Sequence, residues 1–284
     1  MQRSLLYQLG SRDSGRLDRF SEEAALAEGL GFGSLWCLPE SGAAGDFKGG
    51  APEFWLASLA DRTDRLRLGW GLAGHAPPQR PPIRTAEQAA SLDLACKGRL
   101  EIALLPDPAL DRAEGDAASP DMNPDWDSDW EEGIRMLVDM WDGPRFSWTS
   151  PRFEVPPVDV LPKPVQTPHP PLWLVGWSLH HARHAGRAGL GFLDVSGAED
   201  DVLEMHRDAY RSGRAESDPH LLVCVSVYAA LLGAESDAKL VERVARWEGL
   251  GFDQAVLRID PAVDDAATTA LRIRSLAGES AVIQ

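Results

Sequence analysis

Residues 22–36 read EEAALAEGLGFGSLW, a helical pattern that halts on glycine and passes directly into an apolar run. The phrase at the junction, Gly29-Leu30-Gly31-Phe32, occurs twice more, as Gly189-Leu190-Gly191-Phe192 and Gly249-Leu250-Gly251-Phe252. A helix commonly ends on a residue in the left-handed conformation, which glycine adopts without a Cβ penalty, and the Phe that follows can open the buried face of a strand. The three copies therefore mark three helix-to-strand joints.

Working outward from these joints gives short apolar runs at Leu5 to Leu9, Ser34 to Leu38, Leu66 to Leu72, Leu100 to Leu105, Leu172 to Val175, Gly191 to Val195, Leu221 to Leu231 and Gln254 to Ile259, eight candidate strands in all. Helical stripes alternate with them. Trp130, Ile134, Leu137, Val138 and Trp141 share one apolar face, and similar faces run through Phe20, Ala24, Ala27 and Leu30, through Val241, Val244, Ala245 and Glu248, and through Ala266, Ala270, Ile273 and Ala277. Regular alternation predicts βα units on a parallel sheet, and eight units in 284 residues fit an α/β (β/α)8 TIM barrel, a single domain over 1–284. No GxGxxG follows the first strand, which argues against an open dinucleotide-binding sheet. Two stretches interrupt the rhythm: Pro106 to Asp125, a lid or a disordered insertion, and Phe146 to Pro171, which begins as a hairpin of 145–148 against 152–155.

The composition, 44% hydrophobic and 25% charged, supports a sizeable core, and a formal charge of −16 without any basic run argues against nucleic acid or an anionic membrane as partner. Small molecules are the expected ligands. Cys37, Cys96 and Cys224 show no CxxC spacing, and the N-terminus MQRSLLYQLG lacks an apolar signal core, so a cytoplasmic protein is expected.

Several segments resemble the bacterial luciferase-like flavin-dependent monooxygenases: 22–36 as a helix into strand two, 56–71 (LASLADRTDRLRLGWG), 83–100 (IRTAEQAASLDLACKGRL), 130–142 (WEEGIRMLVDMWD) and 170–191 (PPLWLVGWSLHHARHAGRAGLG), with a further likeness at 240–257. The chain is shorter than that family's usual length, the shortening falling between strands six and eight. The resemblance implies a shortened luciferase-like barrel with reduced FMN at the C-terminal mouth, supplied by a separate reductase, and O2 and a small organic substrate as co-reactants. It also implies a homodimer through the second and third helices.

Site residues of such a barrel belong just past the strand ends. Gly176-Trp177-Ser178 opens a helix after strand five, where free N–H groups, the helix dipole and the Ser178 hydroxyl suit an anion; in the family this segment meets the FMN phosphate, whereas Ser178 as a plain N-cap would read identically. Trp70-Gly71-Leu72 matches the segment passing the flavin ring, with Trp70 either stacking near it or packing in the core. The family's Glu-His-His is matched by Pro39-Glu40-Ser41, leaving Glu40 as an acid or base or as a solvated loop carboxylate, and His75 as a histidine that could replace the lost ones or be structural. The family's phosphate-pairing Arg-Gly is matched by Pro106-Asp107, a cation replaced by an anion. His180, His181, Arg183, His184 and Arg187 are replacement cations; a metal reading of His180 and His184 lacks a third ligand, so no metal is expected and the histidines are read as solvated. Cys37 reads as a small buried hydrophobe.

These departures leave two functions open. One is an FMN-dependent monooxygenase. The other is a non-catalytic member of the family, a partner subunit or a binder of another ligand. Deazaflavin chemistry uses the same fold, but this acidic chain offers no basic cluster for that cofactor's polyglutamate tail.

Overall fold

The computed structural model describes residues 1–9, 17–41, 47–48, 51–73, 82–106, 124–217, 228–232, 236–259 and 264–278. The first half of the chain runs β1 (Gln2–Leu9), α1 (Leu17–Gly29), β2 (Ser34–Ser41), β3 (Phe47–Lys48), α2 (Pro52–Ala60), β4 (Arg67–Ala73), α3 (Pro82–Ala95), β5 (Leu100–Leu105) and α4 (Pro124–Asp142). The second half runs β6 (Phe146–Thr149), β7 (Glu154–Val158), β8 (Leu172–Gly176), α5 (Leu179–Arg187), β9 (Gly191–Asp194), α6 (Asp200–Glu216), β10 (Tyr228–Leu232), α7 (Asp237–Leu250), β11 (Gln254–Ile259) and α8 (Ala266–Ala277). Eight of the strands pair in parallel in the order β1-β11-β10-β9-β8-β5-β4-β2, and β1 also pairs with β2, which closes the ring. A helix follows each barrel strand, so the expected (β/α)8 barrel is present. β3 adds an antiparallel strand beside the end of β2, and β6 with β7 forms the expected hairpin. The described part of the seventh strand is Tyr228–Leu232; residues 221–227 of the predicted run lie outside the described residues, as do 107–123 of the long acidic stretch. No helix among the described residues is long and apolar enough to cross a membrane.

Strand alternation sorts the core into two layers. Leu5, Tyr7, Leu9, Leu68, Trp70 and Leu72 face the helices, whereas Leu6, Trp36, Leu38, Ala103, Leu105, Trp173, Val175, Leu193, Ala229 and Val256 fill the lumen. At the N-terminal end of the lumen, the Ser4 and Ser34 hydroxyls lie 2.7 Å apart and the Gln254 amide donates to both. Glu101 pairs there with Arg67; burial raises its carboxyl pKa, opposed by the Arg67 guanidinium. Above this polar layer Trp36 and Trp173 meet edge to face, ring centroids 5.1 Å apart. Glycine makes room for both: a Cβ on Gly69 would lie 2.0 Å from Trp36 Cε3, and one on Gly191 would lie 2.5 Å from the Trp173 ring.

That requirement shifts the middle copy of the repeated phrase. In the outer copies the second glycine is left-handed, Gly31 at φ 82° and Gly251 at φ 78°. In the middle copy Gly189 takes that role at φ 72°, leaving Gly191 inside β9 opposite Trp173. Two predicted helix faces are rotated from expectation. α7 buries Leu240, Arg243, Val244 and Trp247 while Val241 is 41% exposed, because Arg243 lays its guanidinium over the Trp247 ring at 4.9 Å and pairs with Asp200. α8 buries Thr269, Ile273 and Leu276, with Thr269 accepting a hydrogen bond from Arg19.

α5 and α6 approach backbone to backbone. A Cβ on Gly186 would lie 2.2 Å from the Tyr210 carbonyl oxygen, and one on Gly213 would lie 2.2 Å from that of Arg183. Gly29, at the end of α1, has nothing within 4 Å of its Cβ position. Gly186→Ala is therefore expected to cost about 1–3 kcal/mol in urea denaturation through overpacking, whereas Gly29→Ala is expected to be neutral or to stabilise by up to about 1 kcal/mol; equal effects at both sites would contradict the close crossing.

Candidate active site at the barrel mouth

β8 delivers Gly176 to the mouth, where it pairs with Asp194 of β9 and its carbonyl accepts the Val195 N–H at 2.8 Å. Trp177 follows, 38% exposed, and then Ser178, an extended residue at φ −140° that caps α5. The Ser178 Oγ accepts the His181 N–H at 3.3 Å and lies 2.8 Å from His181 Nδ1. The His181 ring occupies the space a side chain at 176 would fill: a Cβ there would lie 2.6 Å from His181 Cβ and 2.8 Å from Phe192 Cε2. The Trp177 indole stands edge-on to the imidazole at 4.8 Å. Ser178 is thus an N-cap in fact, and the first N–H groups of α5, which have no intrahelical acceptor by construction, lie beside it at the mouth.

The histidines of α5 are not solvated as expected: His181 and His184 are 2% and 3% exposed. The His181 ring lies in the space left beside Gly176 of β8, and His184 stacks on His180 at 6.2 Å. No cluster of metal-ligating side chains occurs among the described residues. Cys37 is fully buried, and burial raises its thiol pKa.

At the neighbouring strand end, Asp194 is fully buried and faces α6. Its Oδ2 accepts from Tyr228 Oη at 2.6 Å and sits 2.7 Å from His206 Nδ1, while its Oδ1 accepts the Ser196 N–H at 2.9 Å. Burial pushes this carboxyl up, but the hydrogen bonds from His206, Ser196 and Tyr228 outweigh it and hold its pKa below the ordinary range. The same burial, with Asp194 beside it, raises Tyr228. This network pins the β9 end of the mouth to α6.

The other residues singled out in the sequence are dispersed. Trp70, 1% exposed, and Leu72 face the helices, and only Gly71 faces the lumen, where Leu38 Cδ2 would lie 2.7 Å from an added Cβ. Glu40 lies at the mouth end of β2, its backbone paired with Lys48; its side chain, His75 and Asp107 lie outside the described residues. Pro106 follows β5 directly and is buried. One residue escaped the sequence reading. In β11, Gln254 and Val256 face the lumen, so the same alternation places Arg258 in that row at the mouth end, and it is exposed. A single charge in an apolar β-run, two residues past a lumen-facing Val, was the signal.

The fold is a (β/α)8 barrel, and these groups gather at its C-terminal face. The family model described as luciferase-like monooxygenase matches residues 4–281, and the chain belongs to that family. It is 29% identical over 211 residues to a luciferase-like monooxygenase of Escherichia coli strain K12, covering 73% of this chain but 59% of that protein. Two solved structures share the fold. One is an F420-dependent secondary alcohol dehydrogenase in complex with an F420-acetone adduct, with a TM-score of 0.72, 15% identity and coverage of 96% of this chain and 97% of that one. The other is the oxygenating constituent of 3,6-diketocamphane monooxygenase from Pseudomonas putida in complex with FMN, with a TM-score of 0.69, 13% identity and coverage of 98% and 97%. The family thus includes flavin-dependent monooxygenases and F420-dependent oxidoreductases.

Because the folded pKa of Asp194 is depressed, its contribution to stability is present above the unfolded carboxylate value, about 3.9, and is lost as pH falls below it toward the folded value. Asp194→Asn is expected to cost about 1–3 kcal/mol at neutral pH and to flatten the acid limb of a stability-against-pH curve. An unchanged acid limb would show that the carboxylate network is not what that limb reports.

Proposed function

We propose that this chain is the oxygenase barrel of an FMN-dependent monooxygenase, a single domain over 1–284 that acts on a small organic substrate with O2 and with reduced flavin supplied by a separate reductase. The observation that carries the reading is the β8–α5 corner. There a serine hydroxyl and the first N–H groups of a helix stand at the barrel mouth beside an exposed indole. The donor set suits a phosphate, and the cradle at Gly176 seats the imidazole that touches Ser178. Ser178 and the first turn of α5 would hold the phosphate, while Trp177 and the backbone at Gly71 would border the rest of the cofactor. Reduced FMN would supply the two electrons and the locus of oxygen activation.

The chain's own residues would do the remaining work. Arg258 adds a cation in the lumen-facing row of β11, across the ring from β5, which is followed in sequence by Pro106-Asp107 in place of one of the usual family cations. Glu40 and His75 are assigned to proton transfer because they stand at or just after the mouth ends of β2 and β4. The lumen beneath is filled by Trp36 and Trp173, so bound groups are kept at the mouth. Support for a separate reductase comes from the 3,6-diketocamphane enzyme, whose oxygen-using barrel is a constituent rather than the whole. Homodimerisation through α2 and α3 is supported by the exposure of Phe54 and Leu94, 75% and 48%. A cytoplasmic location is supported by the free, buried Cys37 and Cys96.

One observation favours a second reading, a ligand-binding family member without catalysis: β5 ends in buried Pro106 rather than in the family's arginine. Titration separates the two. FMN, oxidised or reduced with dithionite, is expected to bind the folded protein, and Ser178→Ala is expected to weaken it about tenfold, the loss of one charge-assisted hydrogen bond, while riboflavin affinity stays level. Absence of binding in both redox states would remove the monooxygenase reading and leave the second.

A further inference from the structure

We propose that His181 is a positioning residue that determines whether Ser178 offers its hydroxyl proton to a phosphate monoester or free phosphate at the mouth; the inference rests on the cofactor reading above. Ser178 Oγ has two acceptor lone pairs and one proton. One lone pair takes the His181 backbone N–H at 3.3 Å, as the N-cap requires. What happens to the other lone pair and the proton depends on His181 Nδ1, 2.8 Å away.

If Nδ1 is bare, the hydroxyl donates to it and has no proton left for a ligand. If Nδ1 carries a proton, as the neutral Nδ1–H tautomer or as imidazolium, it donates to Oγ. Both lone pairs are then filled, and the hydroxyl proton must point away from the imidazole, toward the anion site at the start of α5. The imidazole has no room to leave this pairing. It is 2% exposed, it sits where a side chain at Gly176 would be, Trp177 stands against it at 4.8 Å, and the His180 ring lies 6.1 Å away on its own helix. A phosphate at the mouth therefore selects the Nδ1–H form, and the imidazole in turn makes Ser178 a donor to the anion.

The test compares two variants with the same number of side-chain heavy atoms, branched alike at Cγ. His181→Asn keeps an N–H close to the Nδ1 position, and His181→Leu removes it. His181→Leu is expected to weaken FMN about tenfold or more and His181→Asn by no more than about threefold, the difference being one donor to Ser178. Riboflavin, which lacks the phosphate, should bind all three proteins alike. In parallel, protein carrying 15N-histidine should show His181 Nδ1 gaining a proton on addition of FMN or of inorganic phosphate, the signal being assigned by its loss in His181→Asn. A response to FMN alone would identify the cofactor's phosphate as the occupant; a response to both would identify a general phosphate site. Equal FMN affinity in wild type and His181→Leu, or equal loss in both variants, would overturn the positioning role while leaving the cofactor reading intact. A His181 resonance indifferent to both probes, with no FMN bound, would overturn both.

Discussion

The contact between Trp36 and Trp173 governs this barrel. Two indoles cannot share the waist of an eight-stranded barrel unless the strands beside them give way, and they do so at Gly69, paired with Trp36, and at Gly191, paired with Trp173, where any Cβ would fall within the rings. The cost of glycine in a strand is conformational entropy and lost packing of its own. The return is a lumen filled by aromatic surface, with a polar layer of Ser4, Ser34, Gln254, Arg67 and Glu101 closing its base.

From that waist the mouth is built by two further economies of volume. Gly186 and Gly213 let α5 and α6 touch through their backbones, and Gly176 lets the His181 ring lie against the end of β8. The first fixes where α5 starts, and the second fixes which group its capping serine meets. Asp194, held by Tyr228, His206 and the Ser196 N–H, anchors the adjacent strand end to α6. Two neighbouring corners of the mouth thus rest on buried contacts, which suits a site that must hold its geometry without a ligand to organise it.

The barrel was legible in the sequence because each helix-to-strand joint is local: a left-handed glycine and an apolar run are properties of adjacent residues, as Gly31 and Gly251 show. Gly189 departed from its siblings for a reason that is not local, the ring of Trp173 across the neighbouring strand. Helix faces failed in the same way. Arg243 was absent from the predicted face, yet its stem covers Trp247 while its charge meets Asp200. At the site, Ser178 was found from its position at a strand end. Its partner His181 was taken for a solvated surface residue, because the space that buries it, left by Gly176 on β8, leaves no trace in the pattern of its own helix. Trp70 was open to stacking near the ring or packing in the core, and strand parity, which the apolar run from Leu66 to Leu72 does not disclose, puts it in the core.

The filled waist carries a consequence for traffic. A barrel stoppered at its middle and sealed at its base is a vessel with one opening, so everything that enters must leave by the way it came. A cofactor seated deeper than a substrate would be trapped until the substrate's product had gone. One seated at the rim, along α5, can exchange while the interior is still occupied. With the indole pair filling the waist, depth of seating would decide whether arrival and departure are ordered, before any residue of the rim has made a contact.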